Sequence, residues 1–154
     1  MTKYPPVEQL LPHDKPMIFI DHALEILEDS ICCSVVISPE NPFYSAESQS
    51  VPAYVGIEFM AQSIAAWSGY HAKLNNLEPP IGFLLGSRRY SIEATKFPLG
   101  QELVIKCQKI IEDKGMAVFS GSIEVEKKVV ASCQLNVFVP SDEQLKNMNI
   151  RTIE

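Results

Sequence analysis

Residues 52–71 constrain the fold of this 154-residue chain more than any other stretch. They read Pro52-Ala53-Tyr54-Val55-Gly56-Ile57-Glu58-Phe59-Met60-Ala61-Gln62-Ser63-Ile64-Ala65-Ala66-Trp67-Ser68-Gly69-Tyr70-His71. Apolar side chains fall on nearly every face, so a helix here needs cover around most of its circumference. Pro52 suits a first helical turn. The helix is expected to run to about residues 73–76, where Pro79 and Pro80 forbid continuation. One carboxylate, Glu58, sits inside the run. A carboxylate is costly to bury unless it is paired or protonated. Held neutral among apolar groups, it becomes a ready general acid.

The surrounding sequence supplies the cover. Residues 17–27 and 31–38 are apolar and β-branched, and Glu28-Asp29-Ser30 separates them like a hairpin turn. Residues 41–50 are polar and turn-rich, hence a loop. Residues 81–85 read as a short strand running into Gly86-Ser87-Arg88-Arg89-Tyr90. Leu103, Ile105 and Cys107 alternate with polar or exposed positions. So do Ala117, Phe119, Gly121 and Ile123, and Ala131, Cys133, Leu135 and Val137. Period-two alternation marks a sheet with one buried face. Asp113-Lys114-Gly115 and Glu126-Lys127-Lys128 supply tight turns. Residues 7–11 read as one helical turn among four prolines, and residues 141–154 as a polar tail.

Two strands, one long apolar helix and about four further strands predict an α+β protein. A single antiparallel sheet curls around the central helix in the hotdog arrangement. An open sandwich would leave a more polar outer helix stripe. The length fits one domain over 1–154, with a core at about 8–140.

Composition narrows the function. The net charge is −6 with no Lys/Arg block, which argues against nucleic acid and anionic membrane as partners. Glu58, Gln62 and Ser63 interrupt the longest apolar stretch, which argues against a membrane span. The N-terminus lacks an apolar signal core. Cys32, Cys33, Cys107 and Cys133 show no metal-ligand spacing, so no metal is expected, and reduced thiols in a cytoplasmic protein are the plain reading. No redox cofactor is implied.

Several motifs together resemble the hotdog-fold 3-hydroxyacyl-acyl-carrier-protein dehydratases over about residues 8–140. They are Leu11-Pro12-His13 followed by an apolar run to Asp21, Pro52 through Glu58-Phe59-Met60-Ala61-Gln62, Gly82-Phe83-Leu84-Leu85-Gly86, and Pro98-Leu99-Gly100-Gln101-Glu102-Leu103. Pro52 and Glu58 keep the family spacing, with Ala53 where the family has glycine. Glu58–Gln62 together with Trp67-Ser68-Gly69-Tyr70-His71 is closer still to the ApeP-type dehydratase-like proteins of aryl polyene clusters. One departure stands out. The general family carries a catalytic histidine in a loop before the helix. Here that loop is Phe43-Tyr44-Ser45-Ala46-Glu47-Ser48-Gln49-Ser50. Either another histidine serves, or the chain is not catalytic alone.

The resemblance implies dehydration of 3-hydroxyacyl thioesters on an acyl carrier protein, through its acyl-phosphopantetheine arm. It also implies a homodimer, or a heterodimer with a second hotdog dehydratase, whose paired subunits share the catalytic groups. Glu58 fits the acid; its plain structural explanation is a carboxylate satisfied by Gln62 one turn away or by backbone donors. Among three histidines, His13 ranks first as base because it lies in a loop. A purely structural role in tying down the N-terminus stands beside it. His22 points away from Asp21, and His71 complements the helix C-terminus. Free N–H groups near Ala53 and Gly56 are expected to face the thioester oxygen, and Gly56 suggests close approach of a ligand or another backbone. Phe59 and Gln62 are expected to line the substrate site. Arg88 and Arg89 suit an acidic carrier protein or are a solvated turn. A hotdog thioesterase and a non-catalytic partner subunit remain as rival readings.

Overall fold

A computed structural model describes residues 3–77 and 83–138. The stop at Pro79-Pro80 and the tail 141–154 lie outside the described residues. Six antiparallel strands form one sheet in the order β1-β2-β6-β7-β8-β4. They are β1 (His22–Ile26), β2 (Ser30–Val36), β4 (Phe83–Ile92), β6 (Glu102–Asp113), β7 (Met116–Val125) and β8 (Lys128–Phe138). A separate two-stranded pair, β3 (Ser50–Pro52) with β5 (Lys96–Pro98), holds the loop that leads into helix α1 (Gly56–Leu74).

The alternation in the sequence is the inner face of this sheet. Leu103, Ile105, Cys107, Phe119, Ile123, Ala131, Cys133 and Leu135 are all buried. At Gly121 the helix comes close: a side chain there would meet Met60 Sδ at 2.6 Å. Lys114-Gly115 and Glu126-Lys127 all take positive φ, the geometry that two-residue hairpin loops need to match strand twist.

Helix α1 starts later than the proline suggested. Residues 53–55 form a tight 3-10 turn (Ala53–Val55), and the α-helix begins at Gly56. Its end is the expected one. Asn76 takes φ 59°, the Leu77 N–H reaches Ala72 O at 2.9 Å and the Asn76 N–H reaches Lys73 O at 3.0 Å. That pair of bonds caps the last carbonyls of a helix. Residues 7–11 contain a 3-10 turn at Val7–Gln9.

Two expectations need correction, and one pair of strands was not foreseen. The strand expected over 17–27 covers only His22–Ile26, because residues 17–19 bond to the helix instead of the sheet. The short strand expected at 81–85 is ten residues long and continues through Arg88-Arg89 to Ile92. It does so by bulging between Leu84 and Gly86 and again between Arg88 and Ser91, with Arg89 at φ 57°. The β3–β5 pair was not legible, since three-residue strands show no period. No described helix is long and apolar enough to cross a membrane.

Candidate active site

Glu58 is not sequestered in the core. It is half-buried and lines a cavity of about 330 Å³ between α1 and the β4–β8–β7 side of the sheet. The helix contributes Glu58, Ala61, Ala65 and Ser68 to one wall. Their spacing of three and four residues puts them on one face. Phe119 and Val137 form the opposite wall.

His13 lines the same cavity. Two ties place its loop. The Leu10 carbonyl packs against Gly69, where any side chain would collide with it. Further along, the buried Gln62 amide holds the chain, its Oε1 accepting from Phe19 N–H at 2.8 Å and its Nε2 donating to Met17 O at 2.6 Å. His13 falls between these ties, alongside the middle turns of α1. Its Nδ1 is buried and has no hydrogen-bond partner among the described residues. Among the described residues no ion pair or hydrogen bond joins His13 to Glu58, so the two flank the cavity without engaging each other.

Gln62 therefore does not satisfy Glu58, because both ends of its amide are committed to the backbone of residues 17–19. It is a buried strut with one edge on the cavity.

The other expected contacts move elsewhere. Phe59 is fully buried, edge-on to Phe19 at 6.2 Å and Phe97 at 6.1 Å, and does not line the Glu58 cavity. The free N–H groups expected at Ala53 and Gly56 are occupied. Ala53 N–H donates to Thr95 O at 3.2 Å, and Gly56 N–H caps the 3-10 turn on Ala53 O. Gly56 makes room for the Tyr90 hydroxyl, which donates to Ala53 O at 2.6 Å. A tyrosine, not a ligand or a backbone, is what approaches it. Ala61 and Ala65 face the cavity.

Trp67 of the Trp67-Ser68-Gly69-Tyr70-His71 motif also lines the cavity. Its indole N–H donates to Leu27 O at 3.2 Å, and its ring meets Phe119 at 5.5 Å and His71 at 4.8 Å. Lys109 Nζ lies 5.2 Å from the ring centroid. His71 Nε2 lies 3.0 Å from the same Leu27 carbonyl, so this histidine serves the helix end. His22 is exposed and lines a different groove, beside β1. Among the described residues no His/Cys/Asp/Glu group could hold a metal ion.

The model of ApeP-like proteins, described as ApeP dehydratase, matches residues 5–148. The chain belongs to the ApeP-like dehydratase family. This ApeP-like chain is 33% identical over 113 residues to an uncharacterized thioester dehydrase of Halalkalibacterium halodurans, covering 71% of this chain and 70% of that protein. It is 27% identical over 139 residues to the 3-hydroxyacyl-[acyl-carrier-protein] dehydratase FabZ of Vibrio vulnificus, covering 84% of this chain and 87% of that protein. Among solved structures it matches the dehydratase heterocomplex ApeI:P from Xenorhabdus doucetiae at a TM-score of 0.88 and 28% identity, covering 97% of this chain and 100% of that one. The ApeP-like chain thus has the hotdog fold, and 3-hydroxyacyl thioester dehydration is the chemistry of its family.

Proposed function

We propose that this chain supplies acid and base for removing water from 3-hydroxyacyl thioesters carried on the phosphopantetheine arm of an acyl carrier protein, in a cytoplasmic fatty-acid-like or aryl polyene pathway. The observation that carries the reading is the shared cavity: His13, with an unpaired buried Nδ1, and Glu58, without an internal partner among the described residues, both border it. A buried polar atom left unpaired is costly, and a substrate between the two groups gives both something to act on.

The chemistry follows from the two groups. The thioester acidifies its α-carbon, and the His13 imidazole takes that proton. Electrons from the C–H bond form the Cα–Cβ double bond. The Cβ–O bond breaks, and the Glu58 carboxylic acid protonates the departing hydroxyl to give water. The imidazolium proton then returns through solvent to the Glu58 carboxylate, restoring both groups. Acid and base flank the reacting carbons, so they need not touch each other.

A second hotdog chain completes the assembly in this reading. β4 is an edge strand of the sheet, and Leu84 and Leu85 on it are exposed. A long edge with apolar side chains is an invitation to strand pairing, and Leu84 also borders the cavity. The heterocomplex in Xenorhabdus doucetiae supports a related but distinct partner over a second copy. Arg88 and Arg89, on the same strand, suit an acidic carrier protein.

The loop before α1 favours a second reading, in which the chain is a non-catalytic partner. It holds no histidine, and Phe43 packs edge-on to Phe19 at 5.9 Å. The deciding experiment assays Glu58→Gln and His13→Ala, with and without the co-expressed partner. Enoyl thioester, not free acid, is the expected product, and each substitution is expected to lower turnover by roughly 10²–10⁴. Unchanged turnover in both variants makes this chain the silent subunit, and free acid as product makes it a thioesterase.

A further inference from the structure

The cavity runs along α1 and meets the Trp67 ring. Along α1 its lining runs from Glu58 to Ser68, a rise of about 15 Å at helical pitch. Between the carboxylate and the far end the helix lines the cavity with Ala61, Gln62, Ile64 and Ala65, and the two alanines leave room for an unbranched chain. Trp67 is the largest side chain in that lining.

That ring is held on several sides. Its N–H is bonded to Leu27 O, Phe119 presses on it edge-on, and His71 tilts against it. Lys109 stands over it and is itself held by Glu112 at 2.9 Å and Asp29 at 3.3 Å. A core ring packed only by apolar neighbours can adjust. One fixed by a hydrogen bond and by a doubly paired cation sits where it is put.

We infer that Trp67 sets the greatest length of acyl chain the site accepts, with the apolar tail lying along Ala61 and Ala65 and ending at the indole. The inference rests on the acyl-thioester reading above. Trp67 acts here as a specificity-determining residue and takes no part in the proton transfers.

The chain contains one tryptophan, so its own emission reports on the stop. The full chain is titrated with saturated acyl-pantetheine thioesters of increasing length, which lack the hydroxyl and cannot react. Short chains are expected to bind without changing the emission, and the change is expected to set in near the longest chain that binds. Trp67→Ala is expected to move the length limit upward, each added methylene beyond the old limit tightening binding about fourfold. Ala65→Leu, which projects into the trough, is expected to move the limit downward. It keeps the test open if Trp67→Ala does not fold. A limit that stays put in Ala65→Leu, or a Trp67→Ala variant that weakens all lengths by one common factor, overturns the inference. If the length limit behaves as expected but no 3-hydroxyacyl thioester is converted with the partner present, the dehydration reading fails and the ruler stands. Conversion with a flat length profile sinks the ruler alone.

Discussion

The carbonyl oxygen of Leu10 lies against the bare Cα of Gly69, with the Leu10 carbonyl carbon 2.8 Å and Cα 3.2 Å from where a methyl group would be. The contact is backbone on helix, so neither partner can rotate away. Gly69→Ala is expected to lower stability by about 1–3 kcal/mol, the range for overfilling a packed site. Urea denaturation measures it. A variant as stable as the parent means that the segment before β1 lifts off without penalty.

Gln62 ties down the other end of that segment. Gln62→Leu keeps the volume but leaves Phe19 N–H and Met17 C=O without partners. Each such loss costs about 1–3 kcal/mol, so the variant is expected to lose more stability than Gly69→Ala. Hydrogen exchange should show the amide of Phe19 opening first. Protection of that amide equal to the parent's would mean the Gln62 bond does not hold it.

Glu58→Gln is expected to change the unfolding free energy by no more than about 0.5 kcal/mol, as for a surface position without partners. The half-buried carboxylate has no hydrogen bond or ion pair among the described residues. A large stability gain would indicate that the acid is held at the expense of the fold, a larger conflict than its exposure suggests.

Alkaline pH should weaken the protein through its buried thiols. Desolvation pushes the Cys33 thiol up from 9.0 to about 12, an effect only partly offset by the Ser63 hydroxyl, and Cys107 also rises because it is buried. The folded state keeps these protons while the unfolded chain gives them up. Stability is therefore fully present below about pH 9 and declines from there towards pH 12. For each thiol the steepest loss is about 1.4 kcal/mol per pH unit. Urea midpoints from pH 8 to 11 test this, and Cys33→Ala should flatten the decline. Tyr90, raised to about 12 by burial, adds to the same slope, so the variant reduces the decline without abolishing it.

Much of the architecture was readable because it rests on periods. The alternation in β6, β7 and β8 and the mostly apolar run of α1 each report a burial pattern directly. What escaped was set by tertiary contact. β4 continues past Arg88-Arg89 because an irregularity between Arg88 and Ser91 takes up Arg89 and Tyr90, in a stretch that looks like a turn. Residues 17–19 leave the sheet because one glutamine on the helix outbids the ladder for their backbone groups. At the site, the two titratable residues picked from the sequence do border one cavity. Yet Phe59, one position from Glu58, faces the opposite way, towards Phe97. Counting from Glu58 in steps of three and four leads to Ala61, Ala65 and Ser68, and that stripe was the signal available for the cavity wall. Trp67 stood out in the sequence as part of a motif, but its surroundings did not. Its role depends on Lys109, forty-two positions away in sequence.

The loop bearing His13 is moored at both ends, to Gly69 through Leu10 and to Gln62 through Met17 and Phe19. A tether with two fixed moorings has no slack to take up added or missing residues. Changes in this stretch are therefore confined to exchanging one side chain for another.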